Sequence, residues 1–136
     1  VKTDFSFPDY GFEWVPYNGA TPGVISVDGI LYSHYITRGG TDRALSSIHQ
    51  AASLLSQSMV SVVVGHKHTL DFSRKVRMDG IPIQSICAGW WGDFSPSFAG
   101  NGVDHWWSGI TVLYNVENGQ FDPEFVSMKR LKEVYG

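Results

Sequence analysis

Met59-Val60-Ser61-Val62-Val63-Val64-Gly65-His66-Lys67-His68 decides the fold class. The run before the glycine is short, apolar and β-branched, the pattern of a strand buried on both faces. Such a strand needs cover above and below. Just upstream, Leu45, Ile48, Ala52 and Leu55 recur at spacings of three, four and three. That stripe predicts one amphipathic helix over Thr41–Gln57, with Thr41 or Asp42 as N-cap after Gly39-Gly40. A helix feeding a buried strand predicts an α/β layer.

Working outward, Asp28-Gly29 separates two β-rich runs, and a hairpin follows because a type I′ turn needs positive φ at both central residues. His34 falls at the end of its second strand. Asp79-Gly80 marks a second hairpin, whose returning strand runs to about Cys87. Gly89 to His105 reads as a loop rich in Gly, Asn, Asp, Ser and Trp. Trp106–Val116 reads as a strand, Glu117-Asn118-Gly119 as a turn, Phe121–Ser127 as a last short strand and Met128–Tyr135 as a short amphipathic helix or tail. Residues 1–20 are rich in aromatics, Pro and Gly, with a short strand expected at Phe12–Val15. They read as chain from inside a larger domain, since termini are usually more polar.

The 136 residues are one domain's worth, and 43% hydrophobic against 17% charged excludes a disordered chain. A net charge of -3 argues against a basic nucleic-acid footprint but leaves a local patch open. Cys87 is the single cysteine, so neither an internal disulfide nor a cysteine-only zinc site can form. No apolar run approaches the ~20 residues of a membrane span. The expectation is a cytoplasmic domain without membrane contact.

His66 and His68 carry the chemistry. On extended chain, residues i and i+2 point the same way, so both imidazoles would aim at one site. Gly65 would allow backbone or ligand to approach closely. Imidazole nitrogen suits Mn, Fe, Zn or Ni, and His34 at a neighbouring strand end would complete a cluster beyond the carboxyl ends of the strands. The bland alternative is that each histidine is a surface or hydrogen-bonded residue. His49, beside the helix stripe, reads as structural or solvated, and His105 as a residue that could line a pocket. Arg74 could pair bidentately with a substrate phosphate, or be a solvated hairpin charge. The Trp90-Trp91 and Trp106-Trp107 pairs could stack on a base or sugar, anchor the core, or face a partner.

Gly65-His66-Lys67-His68, with His34 upstream and a helix between, resembles the Gly-His-x-His signature of the calcineurin-like metallophosphoesterases. Val76 to Gly89 follows the family's order after the signature. Trp106 through Phe121 resembles the closing strands of phage and bacterial members. The resemblance covers roughly Gly11 to Gly136. It implies a two-sheet αββα sandwich of which this chain is the C-terminal half, with a mixed sheet and one main covering helix. It implies metal-dependent phosphoester hydrolysis at two divalent ions (Mn, Fe, Zn or Ni), with His34 and His66 on one ion and His68 on the other. His66 and His68 would be its catalytic contribution and Arg74 a possible substrate contact. The family's Asp-x-His, its Gly-Asp with a second acidic residue and its Gly-Asn-His have no counterpart here; Gly92-Asp93 lies on the wrong side of the signature. The resemblance therefore implies that an N-terminal half supplies those ligands and that this chain alone holds at most one metal weakly, through His34, His66 and an exposed carboxylate. Expected partners are a phosphoester substrate, that half or a second copy, with nucleic acid only as substrate.

Two rivals are open on the sequence. A cupin-like β-barrel also uses His-x-His, but wants a nearby Glu and a later His, whereas Glu117 is the first Glu after the pair. A non-catalytic remnant or interaction module would keep the fold without the metals. A barrel of ~250 residues, as in amidohydrolases, has no room.

Overall fold

The computed structural model describes residues 7–94 and 96–136 of the chain. Among the described residues the fold is mixed α/β, with one five-stranded sheet, one two-stranded sheet and two α-helices. Strands β1 (Val24–Val27), β2 (Ile30–Ser33), β3 (Ser61–Val64), β4 (Leu70–Val76) and β5 (Pro82–Ala88) form the larger sheet in the order β1-β2-β3-β5-β4. β2, β3 and β5 run parallel, and β1 and β4 are antiparallel edges. Strands β6 (Gly109–Glu117) and β7 (Gln120–Ser127) make an antiparallel hairpin.

β3 lies in the middle because its valines point to both faces, while its one polar residue, Ser61, is buried and accepts the Gln84 N–H. Val62 and Val64 pack with Leu54 of helix α1 (Gln50–Ser58) and with Cys87. Val63 points the other way, into a cluster of Ile30, Ile86, Phe121, Leu113 and Phe125. The β6–β7 hairpin is therefore the second sheet of a sandwich. The opposite face of that hairpin, Ile110, Val112 and Val126, meets Leu131 and Val134 of helix α2 (Met128–Tyr135). The layers run helix, sheet, sheet, helix. An open mixed sheet with parallel strands and covering helices is incompatible with a cupin-like barrel.

Buried side chains tie the layers together. Gln84, 5% exposed, sends Nε2 to the Phe121 carbonyl at 2.9 Å and accepts the Phe121 N–H on Oε1 at 3.0 Å. Ser85 Oγ donates to the Ala51 carbonyl at 2.6 Å, joining β5 to α1. Between the two hairpin turns, the Gly119 N–H donates to the Asp28 carbonyl at 2.7 Å.

The local turn chemistry is as the sequence predicts. Asp28 and Gly29 take φ of 48° and 81°, and Asn118 and Gly119 take 52° and 80°, as two-residue type I′ loops require. The Asp79-Gly80 hairpin also forms, with the Arg77 N–H bonded to the Ile81 carbonyl at 2.9 Å.

Three boundaries differ. The helix begins at Gln50 and not at Thr41. Residues 41–45 instead return as a hairpin arm, with the Arg38 N–H on the Arg43 carbonyl and the Leu45 N–H on the Ile36 carbonyl. The Gln50 side chain then accepts from the Ser47 N–H at 3.0 Å and donates to the Leu45 carbonyl at 2.8 Å, taking up backbone groups that a longer helix would have paired. Leu45 joins the core through the hairpin, while Ile48 is 93% exposed, so the helical stripe was coincidental. No strand forms at 12–15, although Phe12 and Trp14 are exposed. The strand expected from Trp106 starts at Gly109, because Trp106 and Trp107 are held by the crossing loop.

Replacing Gln84 with Ala leaves both the Phe121 N–H and carbonyl buried without partners. The expected loss is about 2–4 kcal/mol in urea unfolding, against less than about 0.5 kcal/mol for Ser56→Ala on the exposed side of α1.

Candidate functional site

The register of the parallel strands builds the site. Ser33 pairs with Val64 and Val64 with Cys87, so β2, β3 and β5 reach their carboxyl ends nearly together. His34 follows β2 directly, and its carbonyl accepts the Gly65 N–H at 3.2 Å. His66 Nδ1 lies 3.0 Å from His34 Nε2, with the rings edge to face. Tyr35 closes over them, its ring centroid 4.9 Å from that of His66, and its hydroxyl bonded to the Ala20 carbonyl.

His68 stands beside this pair in a different wall. Its ring stacks on Trp90 at 5.6 Å and meets Trp106 edge-on at 4.2 Å. Its carbonyl accepts the Trp107 N–H at 2.9 Å, while the Trp90 N–H reaches the Trp107 carbonyl at 3.0 Å. The extended chain expected at His66 and His68 is absent. Both residues take positive φ, 35° and 59°, in a turn after β3. The signature is thus a tight loop that presents the two rings to separate neighbours.

Burial lowers the pKa of His66, with further lowering by His34, Lys67 and His68. Burial and His34 lower that of His68. Both are thereby biased towards the neutral form, which is the form that ligates metals. Beneath the loop, Cys87 is buried and its Sγ donates to the Gly65 carbonyl at 3.4 Å. Burial raises its pKa, which makes it a packing residue rather than a nucleophile.

Two nitrogens each ~2.1 Å from one ion and at right angles across it lie about 3.0 Å apart. His34 Nε2 and His66 Nδ1 have that separation. The same geometry also serves as an N–H···N hydrogen bond without any ion. The carboxylates do not fit. Asp71 Oδ2 accepts the Ala51 N–H at 2.8 Å, capping α1 from β4 where His49 provides no side-chain cap. Asp93 is ion-paired with Lys132, and Asp104 is exposed in the 3₁₀ segment Ser97–His105. Among the described residues no group of three or more His, Cys, Asp or Glu is arranged to hold a metal ion. The nitrogens suit one ion, and the acidic complement of a dinuclear centre is not built from the described residues.

Arg74 is not brought to the histidines. It sits on β4, opposite Gln84, and lines a shallow cavity with Glu117, Gln120 and Asp122 towards the β6–β7 turn. Six residues of extended chain at ~3.3 Å each separate it from His68 by up to about 20 Å. His49 and His105 are exposed, and neither joins the cluster. Tyr35, the Asp71 cap and the stacking of His68 on Trp90 are not visible in the sequence, since each joins segments far apart in the chain. No protein-family model matches this chain, and no curated protein or solved structure matches it either.

Gly65 is not closely approached by the rest of the chain. A Cβ added there meets nothing within 4 Å. Gly89 is: its φ is +74°, and a Cβ would lie 2.5 Å from the Trp107 ring. Gly65→Ala should therefore leave thermal stability within about 0.5 kcal/mol of the parent. Gly89→Ala should cost about 2 kcal/mol or more and shift the indole signals of Trp90 and Trp107 in NMR spectra.

Proposed function

We propose that this chain is the C-terminal half of a metal-dependent phosphoesterase centre of the calcineurin-like kind, contributing His34, His66 and His68. The carboxylate and asparagine ligands would come from another polypeptide segment. The observation that carries the reading is the 3.0 Å approach of two imidazole nitrogens at the carboxyl ends of adjacent parallel strands. The helix–sheet–sheet–helix layering supports it, because that is the architecture the resemblance implies.

In this reading His34 and His66 would hold one divalent ion and His68 a second. Bound there, such ions supply a water of lowered pKa and neutralise charge on a phosphoryl group. The chain's own residues do the positioning. The Gly65–His34 backbone bond sets the two strand ends, Trp90 and Trp106 fix the His68 ring, and Tyr35 covers the pair. The three nitrogens bring no negative charge, so two divalent ions held by them alone would repel each other without compensation. Phosphoester hydrolysis therefore requires the second segment.

The non-catalytic alternative has one observation in its favour: Asp71, the carboxylate nearest the signature in sequence, is committed to capping α1.

Cobalt(II) titration followed by visible absorption separates these. One ion per chain should bind weakly, with His66→Asn reducing affinity at least about tenfold and His49→Asn leaving it unchanged. Equal binding by parent and His66→Asn, or none at about 10 mM cobalt, would remove the metal reading. Hydrolysis of bis-p-nitrophenyl phosphate with manganese by this chain alone, abolished in His66→Ala, would instead show that no second segment is needed.

A further inference from the structure

β4 ends the larger sheet, and among the described residues no strand pairs with its outer side. The Gly89 N–H donates to the Thr69 carbonyl and the Arg77 N–H to the Ile81 carbonyl, and the register between them is unbroken. Bonded pairs alternate along an antiparallel ladder, so the odd-numbered residues of β4 bond to β5. Leu70, Phe72, Arg74 and Val76 therefore turn their N–H and C=O groups outward. The Phe72 and Val76 side chains on this edge are 39% and 58% exposed. An unpaired edge seven residues long is a template for another strand.

The side chains choose the strand. Phe72 lies against Phe125 of β7, so Phe72 and Arg74 face the hairpin layer. Asp71 reaches Ala51, and Lys75 lines a cavity with Leu55 and Ser56, so both face α1. Neither Arg74 nor Lys75 has an ion-pair partner among the described residues. Such charges guard an edge against indiscriminate pairing and admit a strand that answers them. A second β4, antiparallel about a two-fold axis at Ser73, answers both. It sets Asp71 opposite Lys75 of the second copy in a non-hydrogen-bonded pair, where side chains come closest. Asp71 Oδ2 caps α1, which leaves Oδ1 for the ammonium. It also sets Phe72 opposite Arg74 of the second copy, a cation–π pair. Centring the pairing on Phe72 instead leaves Arg74 and Lys75 facing Leu70 and Thr69. Centring it on Arg74 puts two guanidinium groups opposite each other. β1, the other edge, has four residues and no charge, so it fixes no register.

We infer that β4 is a self-association edge: two copies of this chain join their five-stranded sheets through β4, antiparallel and centred on Ser73. The outward groups then pair as Leu70 with Val76 and Phe72 with Arg74, each twice by symmetry. The histidine loop precedes β4, so the two loops fall at opposite ends of the joined strands, about 20 Å apart along them. The contact uses no histidine and no ion, and it goes beyond the phosphoesterase reading.

Sedimentation of the chain at about 100 µM in EDTA should show a dimer. Lys75→Glu sets two carboxylates against each other at both symmetric pairs and should weaken the dimer at least about tenfold. Lys129→Glu, the same charge change on α2, should leave it unchanged. Oxidation with copper-phenanthroline reads the register. Ser73→Cys should link two chains, since Cα atoms facing each other in a non-hydrogen-bonded pair lie about 4.5 Å apart. Arg74→Cys, about 7–8 Å from its symmetry mate, should not. Cys87 is buried and takes no part. A monomer at about 100 µM, equal effects of Lys75→Glu and Lys129→Glu, or cross-linking of Arg74→Cys in place of Ser73→Cys would overturn the proposal.

Discussion

A four-residue strand that carries valine on both of its faces governs this structure. β3 presents Val62 and Val64 to one side and Val63 to the other, so water must be removed from both. At roughly 25 cal/mol per Å² of apolar surface, each covered valine contributes about 1.5–3 kcal/mol. Helix α1 supplies one cover and the β6–β7 hairpin the other. Neither cover is held by apolar contact alone. Ser85 bonds the helix backbone and Gln84 bonds the hairpin backbone, each from a buried position on β5. Adjacent residues on one strand thus address opposite layers, which a period of two makes automatic.

The position of the histidines follows from the same strand. Parallel pairing puts the carboxyl ends of β2, β3 and β5 at one level. Whatever follows those ends must meet, and here that is His34, the Gly65–His68 turn and the Gly89–Trp90 segment. The meeting is stabilised by backbone bonds rather than by the imidazoles. The Gly65, Trp107 and Trp90 amides all donate across it. The rings are carried on this backbone scaffold. The positive φ at His66 and His68 is strain that this scaffold holds in place.

Much of the fold was readable where the signal is local. Asp28-Gly29 and Asn118-Gly119 specify their turns by their own backbone preferences. The buried strand at Ser61–Val64 is written in consecutive β-branched residues. The helix start was misread because periodicity cannot distinguish a helix from a hairpin arm that buries Leu45 by another route. Only the return of the chain at Gly40, and the Gln50 side chain bonded to Leu45, settle the matter. Gly65 looked like the glycine that closeness requires, and Gly89 has that role. The difference lies in the Trp107 ring, which arrives from another segment.

The sequence by itself determined the α/β class, the hairpins and the placing of His34 and His66 at adjacent strand ends. These depend on side-chain alternation and on turn residues, which act over a few positions. Tertiary structure alone decided what each group is free to do. It committed Asp71 to the α1 N-terminus, carried Arg74 away along β4 and split the two signature histidines between Tyr35 and the Trp90–Trp106 wall. Those outcomes turn on contacts between segments tens of residues apart, and strand register, not local preference, sets such contacts.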